Sequence, residues 1–368
     1  MDNDVVLWIV VATALAFDFT NGFHDTANAV ATSISTRAMA PRVAVTLAAL
    51  LNFVGAFLSL AVAATIAKGI VQADMVTLSI VFAGLIGAIS WNLLTWYFGL
   101  PSSSSHALIG GVVGAAFAAD GPSAIIVDGL IEKVAIPAVM APILAFVVAG
   151  VGILVTYRIV GRQRPSTVSR GYRLGQIISG SLFSLSHGTN DAQKTMGIIF
   201  LALVANGNLS ADADIPTWVV VSAATAIALG TYIGGWRIIR TTGSRIIKMD
   251  AAQGFSAQGA GAAVILASTH FGFPLSTTHV INGGVMGAGA GKRVSAVRWG
   301  VAGNIMLAWL LTLPAAAAIG AVTYGVSTVF GSGALGPVLI SLLALCLVAA
   351  AFTRRSRQGA PVAAGADA

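Results

Sequence analysis

The chain has 368 residues, of which 57% are hydrophobic and only 9% are charged, and its mean hydropathy is +0.88. Soluble domains carry roughly 25% charged residues, so the composition excludes a soluble globular protein and indicates an integral membrane protein. The formal net charge of +7 does not indicate nucleic-acid binding, because the surplus Lys and Arg residues lie in short segments between apolar runs, as the positive-inside rule describes.

Apolar stretches of membrane-spanning length follow one another along the whole chain. A helix needs about 20 residues to cross a hydrocarbon core about 30 Å thick. The candidate crossings are residues 5–34, 43–67, 76–98, 102–119, 134–157, 176–204, 217–239, 255–271, 274–291, 299–324 and 335–352. We therefore predict an all-α polytopic membrane protein with about 11–12 membrane segments.

The distribution of charge predicts how these segments are oriented. If the acidic N-terminus lies outside, every basic segment falls on the cytoplasmic side, as the positive-inside rule requires. These segments are residues 37–42, 158–173, 237–248, 292–298 and 354–357. An acidic start is not typical of a secretory signal, so we expect the first apolar run to be a retained span of a multi-pass protein in the cell membrane.

Two pairs of motifs reveal an internal duplication. FDFTNGFHDTANAV at 17–30 aligns without gaps with FSLSHGTNDAQKTM at 183–196, and GLPSSSSHALIGGVVGA at 99–115 aligns with GFPLSTTHVINGGVMGA at 272–288. In the predicted topology the two copies run in opposite directions. Inverted repeats with broken or re-entrant helices at matching positions, here the P-S-S-S-S-H and P-L-S-T-T-H motifs, indicate a secondary transporter with a site near the membrane midplane.

This duplication predicts the organisation of the chain. The expected parts are a first transmembrane repeat (1–157), a basic cytoplasmic loop (158–173), a second transmembrane repeat (174–352) and a disordered cytoplasmic tail (353–368).

The first motif of each repeat places a polar face on an otherwise apolar helix. Residues at i, i+3, i+4 and i+7 share one face, and two such sets occur: Asn21, His24, Asp25 and Asn28, and His187, Asn190, Asp191 and Lys194. A charge at the bilayer centre costs about 2.5–3.5 kcal/mol on insertion scales, so such residues usually face an ion or substrate path. The alternative is structural, with Asp191 and Lys194 neutralising each other. For Asp18, about a turn nearer the outside, a structural or vestibule role and a ligand role stay equally open.

The second motif of each repeat places hydroxyl groups at a predicted helix start. Pro101 precedes SSSSH and Pro274 precedes LSTTH, and proline followed by Ser or Thr is a helix-start signal. Free N–H groups, the positive end of the helix dipole and neighbouring hydroxyls together form a receptor for a tetrahedral oxyanion. Ordinary capping is the alternative. We also predict close helix packing at six glycines: Gly110, Gly111, Gly114, Gly283, Gly284 and Gly287.

Other classes of function fit the sequence less well. The motif histidines could suggest a transition-metal cage, but no His pair has the i, i+4 spacing of a helical metal site, and the single cysteine, Cys346, excludes a Cys-based site. A Ser–His membrane enzyme lacks a separate orienting acid. ATP-driven transport would need another subunit, because the chain has no Walker motif. We therefore predict a transporter that is not an enzyme and has no resident cofactor.

Together the four motifs resemble the duplicated signatures of the inorganic phosphate transporter (PiT) family, from about residue 10 to residue 325. The resemblance implies a homodimeric symporter that moves phosphate with sodium or protons by alternating access. It implies a candidate Na⁺ site at Asp25, Asn28 and Asp191. It also implies a phosphate site formed by Ser103, Ser104, Ser105, Ser276, Thr277 and Thr278.

One residue departs from the pattern of sodium-coupled members of that family, which typically carry Asn where this chain has Lys194. We hypothesise that Lys194 is a tethered cation that helps to bind phosphate, with Asp191 as its partner, and that coupling is to protons. His24, whose counterpart is Asn190, is either a proton carrier or a neutral hydrogen-bonding group, and we include both in the ion-coupling set. Sodium coupling, a metal–phosphate substrate and another tetrahedral oxyanion such as sulfate remain open alternatives.

Overall fold

The computed structural model describes residues 2–331 and 333–357, and most of them are helical. The α-helices are α1 (Asp2–Ser35), α2 (Pro41–Gly55), α3 (Ala61–Lys68), α4 (Leu78–Phe98), α5 (Ser104–Asp120), α6 (Val127–Leu130), α7 (Ile136–Val160), α8 (Pro165–Ala205), α9 (Thr217–Ile233), α10 (Trp236–Arg240), α11 (Ala251–His270), α12 (Thr277–Lys292), α13 (Trp299–Thr328) and α14 (Leu335–Arg357). The predicted all-α fold class is therefore confirmed over the described ranges. Residues 358–368 of the predicted tail lie outside them.

Helices occur at every predicted crossing, but two crossings are interrupted. The segment 43–67 divides into α2 and α3, and the segment 217–239 divides into α9 and α10 with a bend of 59°. The predicted loop 158–173 is mostly helical, because α8 begins at Pro165. Proline suits the first turn of a helix, where its missing N–H has no intrahelical partner to lose.

Judged by length and composition alone, some of the helices could cross a membrane. Among the described residues, five helical stretches qualify: α1, α4, α5, the continuous stretch from α6 through α7, and α13. The bent α9–α10 pair would be a sixth. Both α7 and α13 expose large aliphatic side chains such as Ile143 and Leu310, as lipid-facing helices do. The predicted total of about eleven segments stays a prediction.

Each hydroxyl motif forms the tip of an antiparallel helical hairpin. The α4–α5 hairpin turns after Gly99 (φ 66°), and the α11–α12 hairpin turns at Gly272 (φ 72°). These left-handed conformations favour glycine. The two tips meet: the Ser105 hydroxyl donates to the Leu275 carbonyl at 3.0 Å. The predicted helix breaks at the two motifs therefore face each other inside the protein.

The second helix of each hairpin packs against a long helix from the other half of the chain. Helix α5 packs on α13, and α12 packs on α7. A Cβ atom added at Gly114 would lie 2.0 Å from the Ala317 carbonyl oxygen, and one at Gly287 would lie 2.0 Å from the Phe146 carbonyl oxygen. The predicted close packing at these glycines is confirmed, and both halves use it in the same way.

The connections at one end of the bundle contact one another. Val71 forms an isolated antiparallel bridge with Ile125, and the Lys68 ammonium lies 3.6 Å from the Asp212 carboxylate. The segments that follow α3, α5 and α8 therefore lie close together.

A second group of connections lies together elsewhere. The Asp250 carboxylate accepts hydrogen bonds from the Tyr157 hydroxyl (2.9 Å) and the Lys292 ammonium (3.0 Å). The Arg298 N–H donates to the Ile246 carbonyl at 2.9 Å. These contacts bring the end of α7 together with the segments before α11 and after α12.

Candidate functional site

The first hydroxyl of each helix start acts as an N-cap. Ser103 Oγ accepts from the His106 N–H at 3.1 Å, and Ser276 Oγ accepts from the His279 N–H at 3.2 Å. Each bond satisfies one of the free N–H groups of a helix start. The predicted helix starts are confirmed, and in this structure Ser103 and Ser276 have the capping role that was the alternative to phosphate binding. The hydroxyls that follow them point elsewhere.

Asp25 on α1 accepts hydrogen bonds from both hairpin tips. Its carboxylate lies 2.8 Å from Ser104 Oγ and 3.3 Å from the hydroxyls of Thr277 and Thr278. The His24 Nδ1 atom lies 2.7 Å from the same carboxylate. Several donors thus compensate the buried charge of Asp25, as a buried carboxylate requires.

Lys194 on α8 joins Asp191 to the hairpin tips. Its Nζ atom lies 2.5 Å from an Asp191 carboxylate oxygen, 2.5 Å from Ser105 Oγ and 2.9 Å from the Leu275 carbonyl oxygen. An ammonium has three donors, so all of them are used. The side chain of Lys194 is only 1% exposed. The predicted neighbourhood of Lys194, Asp191 and a motif hydroxyl is therefore present.

The two polar faces converge. Thr277 Oγ1 lies 3.3 Å from a carboxylate oxygen of Asp25 and 3.3 Å from one of Asp191. His187 Nε2 lies 3.3 Å from Asp191 Oδ2 and 4.0 Å from Asp25 Oδ2. Periodicity placed His187 on the polar face without giving it a role, because the distance between α1 and α8 cannot be read from one helix.

A cation could be held where these side chains meet. Ligand atoms of Asp25, His187 and Asp191 lie within 4.8 Å of one another and could together hold a metal ion. Within the described residues the four motif histidines do not form a cage. His106 and His279 instead pack edge to face, with ring centroids 4.7 Å apart.

Asn28 reaches the same cluster from α1. Its Nδ2 donates to Thr278 Oγ1 at 2.8 Å, and its Oδ1 is buried without a hydrogen-bond partner among the described residues. An amide oxygen is a suitable ligand for a hard cation. The candidate Na⁺ set of Asp25, Asn28 and Asp191 is thus close together, but the Lys194 ammonium beside Asp191 opposes a second positive charge there.

His24 and Asn190 occupy equivalent places in the two repeats. His24 Nε2 lies 3.2 Å from Thr95 Oγ1 at the end of α4, and Asn190 Nδ2 donates to Thr269 Oγ1 at 2.8 Å near the end of α11. Each residue therefore ties a polar face to the first helix of a hairpin. Only His24 also contacts a carboxylate of the cluster.

Gln193 has a structural role that the sequence pattern did not indicate. The Gln193 side-chain oxygen accepts from the Val62 and Ala63 N–H groups at 2.8 Å and 3.2 Å, and its amide donates to the Thr189 carbonyl. The residue thereby satisfies N–H groups at the start of α3. Its aligned partner in the first repeat is Ala27, so the alignment gave no signal for this role.

The hydrogen-bond donors of the site indicate what it can bind. Hydroxyl donors at two helix starts and the ammonium of Lys194 on α8 suit an anion. In this structure they are bonded to the carboxylates of Asp25 and Asp191.

Comparison with known proteins identifies the family of this chain. A model of the phosphate transporter family matches residues 21–320. A probable low-affinity inorganic phosphate transporter of Mycobacterium bovis is 57% identical over 358 residues, which are 97% of this chain and 85% of that protein. One of Bacillus subtilis is 48% identical and covers 88% of this chain and 98% of its own length. A solved structure, the sodium-dependent phosphate transporter, has a TM-score of 0.78 at 24% identity and covers 88% of this chain and 98% of its own, which shows a shared fold.

Proposed function

Because this chain belongs to the phosphate transporter family, we propose that it takes up inorganic phosphate across the cell membrane as a proton-coupled symporter. The membership makes it a multi-pass membrane transporter and not an enzyme. The substrate, the symport and the coupling ion are the proposed parts.

One observation carries the proposal. The hydroxyls of two opposed helix starts and one ammonium converge on a pair of buried carboxylates. Phosphate offers a tetrahedral set of acceptor oxygens. Ser104, Thr277, Thr278 and Lys194 would turn donors from the carboxylates to the substrate, and Ser105 would turn its hydroxyl from the Leu275 carbonyl. Charge-assisted hydrogen bonds of this kind are about twice as strong as neutral ones.

Lys194 supports coupling to protons in preference to a full set of sodium ions. Its ammonium already supplies positive charge within 2.5 Å of Asp191. When phosphate draws Lys194 away, Asp191 loses the ammonium that neutralises it, and a proton can take the place of that charge. Two imidazoles lie beside the carboxylates, His24 beside Asp25 and His187 beside Asp191.

Alternating access would require the two hairpin tips to separate from α1 and α8 on one side at a time. The site side chains are buried in this structure, so substrate has to reach them through such a movement. The bonds of Lys194 to Ser105 and to the Leu275 carbonyl connect the two tips to α8, and phosphate would loosen them.

The experiment that tests the proposal is uptake of radiolabelled phosphate by proteoliposomes, with proton and sodium gradients imposed separately and divalent metals present or chelated. We expect uphill uptake with an inward proton gradient and no sodium. Uptake that strictly requires sodium would refute the proton coupling, whereas no phosphate uptake under any gradient would refute the substrate.

A metal–phosphate complex is a second candidate substrate. The observation that favours it is the group of Asp25, His187 and Asp191, which could hold a metal ion. Uptake that stops when divalent metals are chelated would support it. Hydroxyl donors also accept other tetrahedral oxyanions, so competition by sulfate or arsenate in the same assay measures selectivity for phosphate.

A further inference from the structure

Asp18 is a buried carboxylate that the candidate site does not use. It lies on α1, two helical turns before Asp25, and is 0% exposed. The side chains of Asn21 and Thr195 flank it, yet neither of its oxygens accepts a hydrogen bond from a described residue. The Asn21 Nδ2 and Thr195 Oγ1 atoms are buried and unpartnered as well. Four polar atoms at this level of the α1–α8 interface thus lack the partners that buried groups normally have.

The charges around Asp18 do not compensate an ionised carboxylate. Those that act on it are Asp191 and Lys194, both on α8, and the three donors of Lys194 are bonded elsewhere. On α1 the nearest titratable groups, His24 and Asp25, pair with each other. Helices α4 and α9, which also pack on α1, carry no Asp, Glu, Lys, Arg or His.

An ionised carboxylate in this position would have no bonded counterion, and only the side chains of Asn21 and Thr195 lie beside it as potential donors. Burial of such a charge costs several kcal/mol, and a buried group without compensation takes its neutral form instead. The closed conformation therefore favours protonated Asp18. Asp25 and Asp191 differ, because hydroxyl, imidazole and ammonium groups surround them.

We propose that Asp18 is a proton-carrying residue of the transport cycle. It binds a proton from water on the side from which substrate enters, holds it while the site is closed, and releases it to water on the other side when α1 and α8 become hydrated. Each cycle moves this proton and changes no covalent bond of the substrate. The inference rests on the proton-coupled function proposed above, and it assigns a proton-carrying role to a residue outside the candidate site.

Asn21 provides the connection between Asp18 and the candidate anion site. Its Oδ1 accepts from Ser104 Oγ at 2.6 Å, and the same hydroxyl lies 2.8 Å from Asp25 Oδ2. When Ser104 turns to an entering anion, Asn21 loses this donor and is free to reorient beside Asp18. Occupancy of the anion site can in this way alter how readily Asp18 holds its proton.

The test compares the wild-type protein with Asp18→Asn, Asp18→Glu and His24→Asn in proteoliposomes. Phosphate–phosphate exchange at equal concentrations reports binding and movement without a driving force. Uphill uptake under an inward proton gradient of about one pH unit reports coupling. Such a gradient can concentrate phosphate about tenfold for each coupled proton. A pH-sensitive dye trapped inside the liposomes reports proton entry. We expect Asp18→Asn to keep exchange but lose accumulation and proton entry, and Asp18→Glu to restore both.

Two results in the transport assay would overturn the inference. One is full accumulation by Asp18→Asn, with loss of accumulation in His24→Asn, which would assign the proton to His24. The other is loss of exchange in Asp18→Asn that Asp18→Glu does not restore, which would make the role structural.

Infrared spectroscopy of the purified protein separates this inference from the proposed function. A protonated carboxyl group gives its own C=O stretching band, which should be absent in Asp18→Asn and shifted in Asp18→Glu. If wild-type uptake ignores the proton gradient, the proposed coupling fails, and the band still decides whether Asp18 holds a proton. A carboxyl band identical in all three proteins would refute the assignment.

Discussion

Lys194 is the residue that distinguishes the candidate site most clearly from a sodium site, because its side chain is itself a cation. Its ammonium is buried, and it bonds Asp191, Ser105 and the Leu275 carbonyl. Removing one partner of a buried ion pair usually costs about 3–5 kcal/mol, because the other charge stays buried alone. The consequence of replacing Lys194 therefore depends on whether another cation can reach Asp191.

We predict that Lys194→Asn makes phosphate uptake dependent on sodium. The amide would restore an oxygen ligand beside Asp191 and remove the charge that repels Na⁺, so sodium should stimulate uptake about tenfold or more, the factor that corresponds to 1.4 kcal/mol of binding energy. Initial rates in proteoliposomes with and without sodium measure this. The control is Lys292→Asn, which removes a half-exposed ion pair with Asp250 and should leave uptake insensitive to sodium. Equal rates for Lys194→Asn in both conditions would contradict the prediction.

We predict that two adjacent serines have different roles, Ser104 in substrate binding and Ser103 in helix capping. Ser104→Ala removes the donor that now reaches Asp25, and loss of a hydrogen bond to a charged group costs about 1.5–3 kcal/mol, so the apparent KM for phosphate should rise about tenfold or more. Ser103→Ala removes the cap of α5, which costs about 1 kcal/mol of stability, so it should lower the melting temperature with little change in KM. Saturation curves and thermal unfolding of both variants measure this. A KM unchanged in Ser104→Ala would refute its place at the substrate.

At the residue scale, the sequence predicted which residues share a helix face better than which residues they contact. Helical periodicity placed Asp25, Asn28, Asp191 and Lys194 on polar faces, because each set repeats on one helix. It could not show that Thr277 would lie between the two carboxylates, since that contact depends on the packing of three helices. The roles assigned to the site residues stay predictions.

Helical elements meet at positions where a side chain larger than hydrogen does not fit. Helix α5 lies against α13, and α12 lies against α7, with the carbonyl groups of one helix directly over glycines of the other. Both contacts hold a hairpin whose tip carries the hydroxyl motif. The position of the candidate site therefore depends on close backbone packing at some distance from it.

We predict that Gly114→Ala disrupts the packing of α5 on α13. The new methyl group would lie 2.0 Å from the Ala317 carbonyl oxygen, and overpacking of this kind costs about 1–3 kcal/mol. The melting temperature of the purified protein should fall, and the hairpin tip should shift. Gly303→Ala is the matched control, because a Cβ at this glycine of α13 has nothing within 4 Å. Equal melting temperatures for both variants would show that the helices can separate without cost.

Element boundaries were predictable where a residue with a clear conformational preference marks them. The proline–hydroxyl motifs gave the starts of α5 and α12, with Ser103 and Ser276 as caps. The interruption between α2 and α3 was missed, because residues 56–60 read AFLSL and continue the apolar pattern across the break. The N–H groups left by that break are satisfied by Gln193 from a distant part of the chain, which no local pattern indicates.

At the scale of the whole molecule, the connections described above form two groups. These groups match the two sides of the membrane predicted from the sequence. The segments bridged by Val71–Ile125 and Lys68–Asp212 all fall outside in the predicted topology, and those joined by Asp250 to Tyr157 and Lys292 all fall inside. If the number of crossings between these segments had been predicted wrongly by one, segments that contact each other would have been assigned to opposite sides of the membrane. Which group faces the cytoplasm, and whether two copies form the predicted homodimer, stay predictions.

The choice between the two orientations rests on charge and can be measured with single cysteines. Residues 206–216 contain two Asp and no Lys or Arg, whereas the segment 158–173 contains five Arg, so the positive-inside rule places the second segment in the cytoplasm. The chain has a single cysteine, Cys346, so a Cys346→Ser background is free of thiols. In that background we expect Ser210→Cys to react with a membrane-impermeant maleimide in intact cells, and Gln163→Cys to react only after permeabilisation. Both side chains are exposed, so a failure to react cannot be attributed to burial. The reverse pattern would place the N-terminus in the cytoplasm and invert both transmembrane repeats.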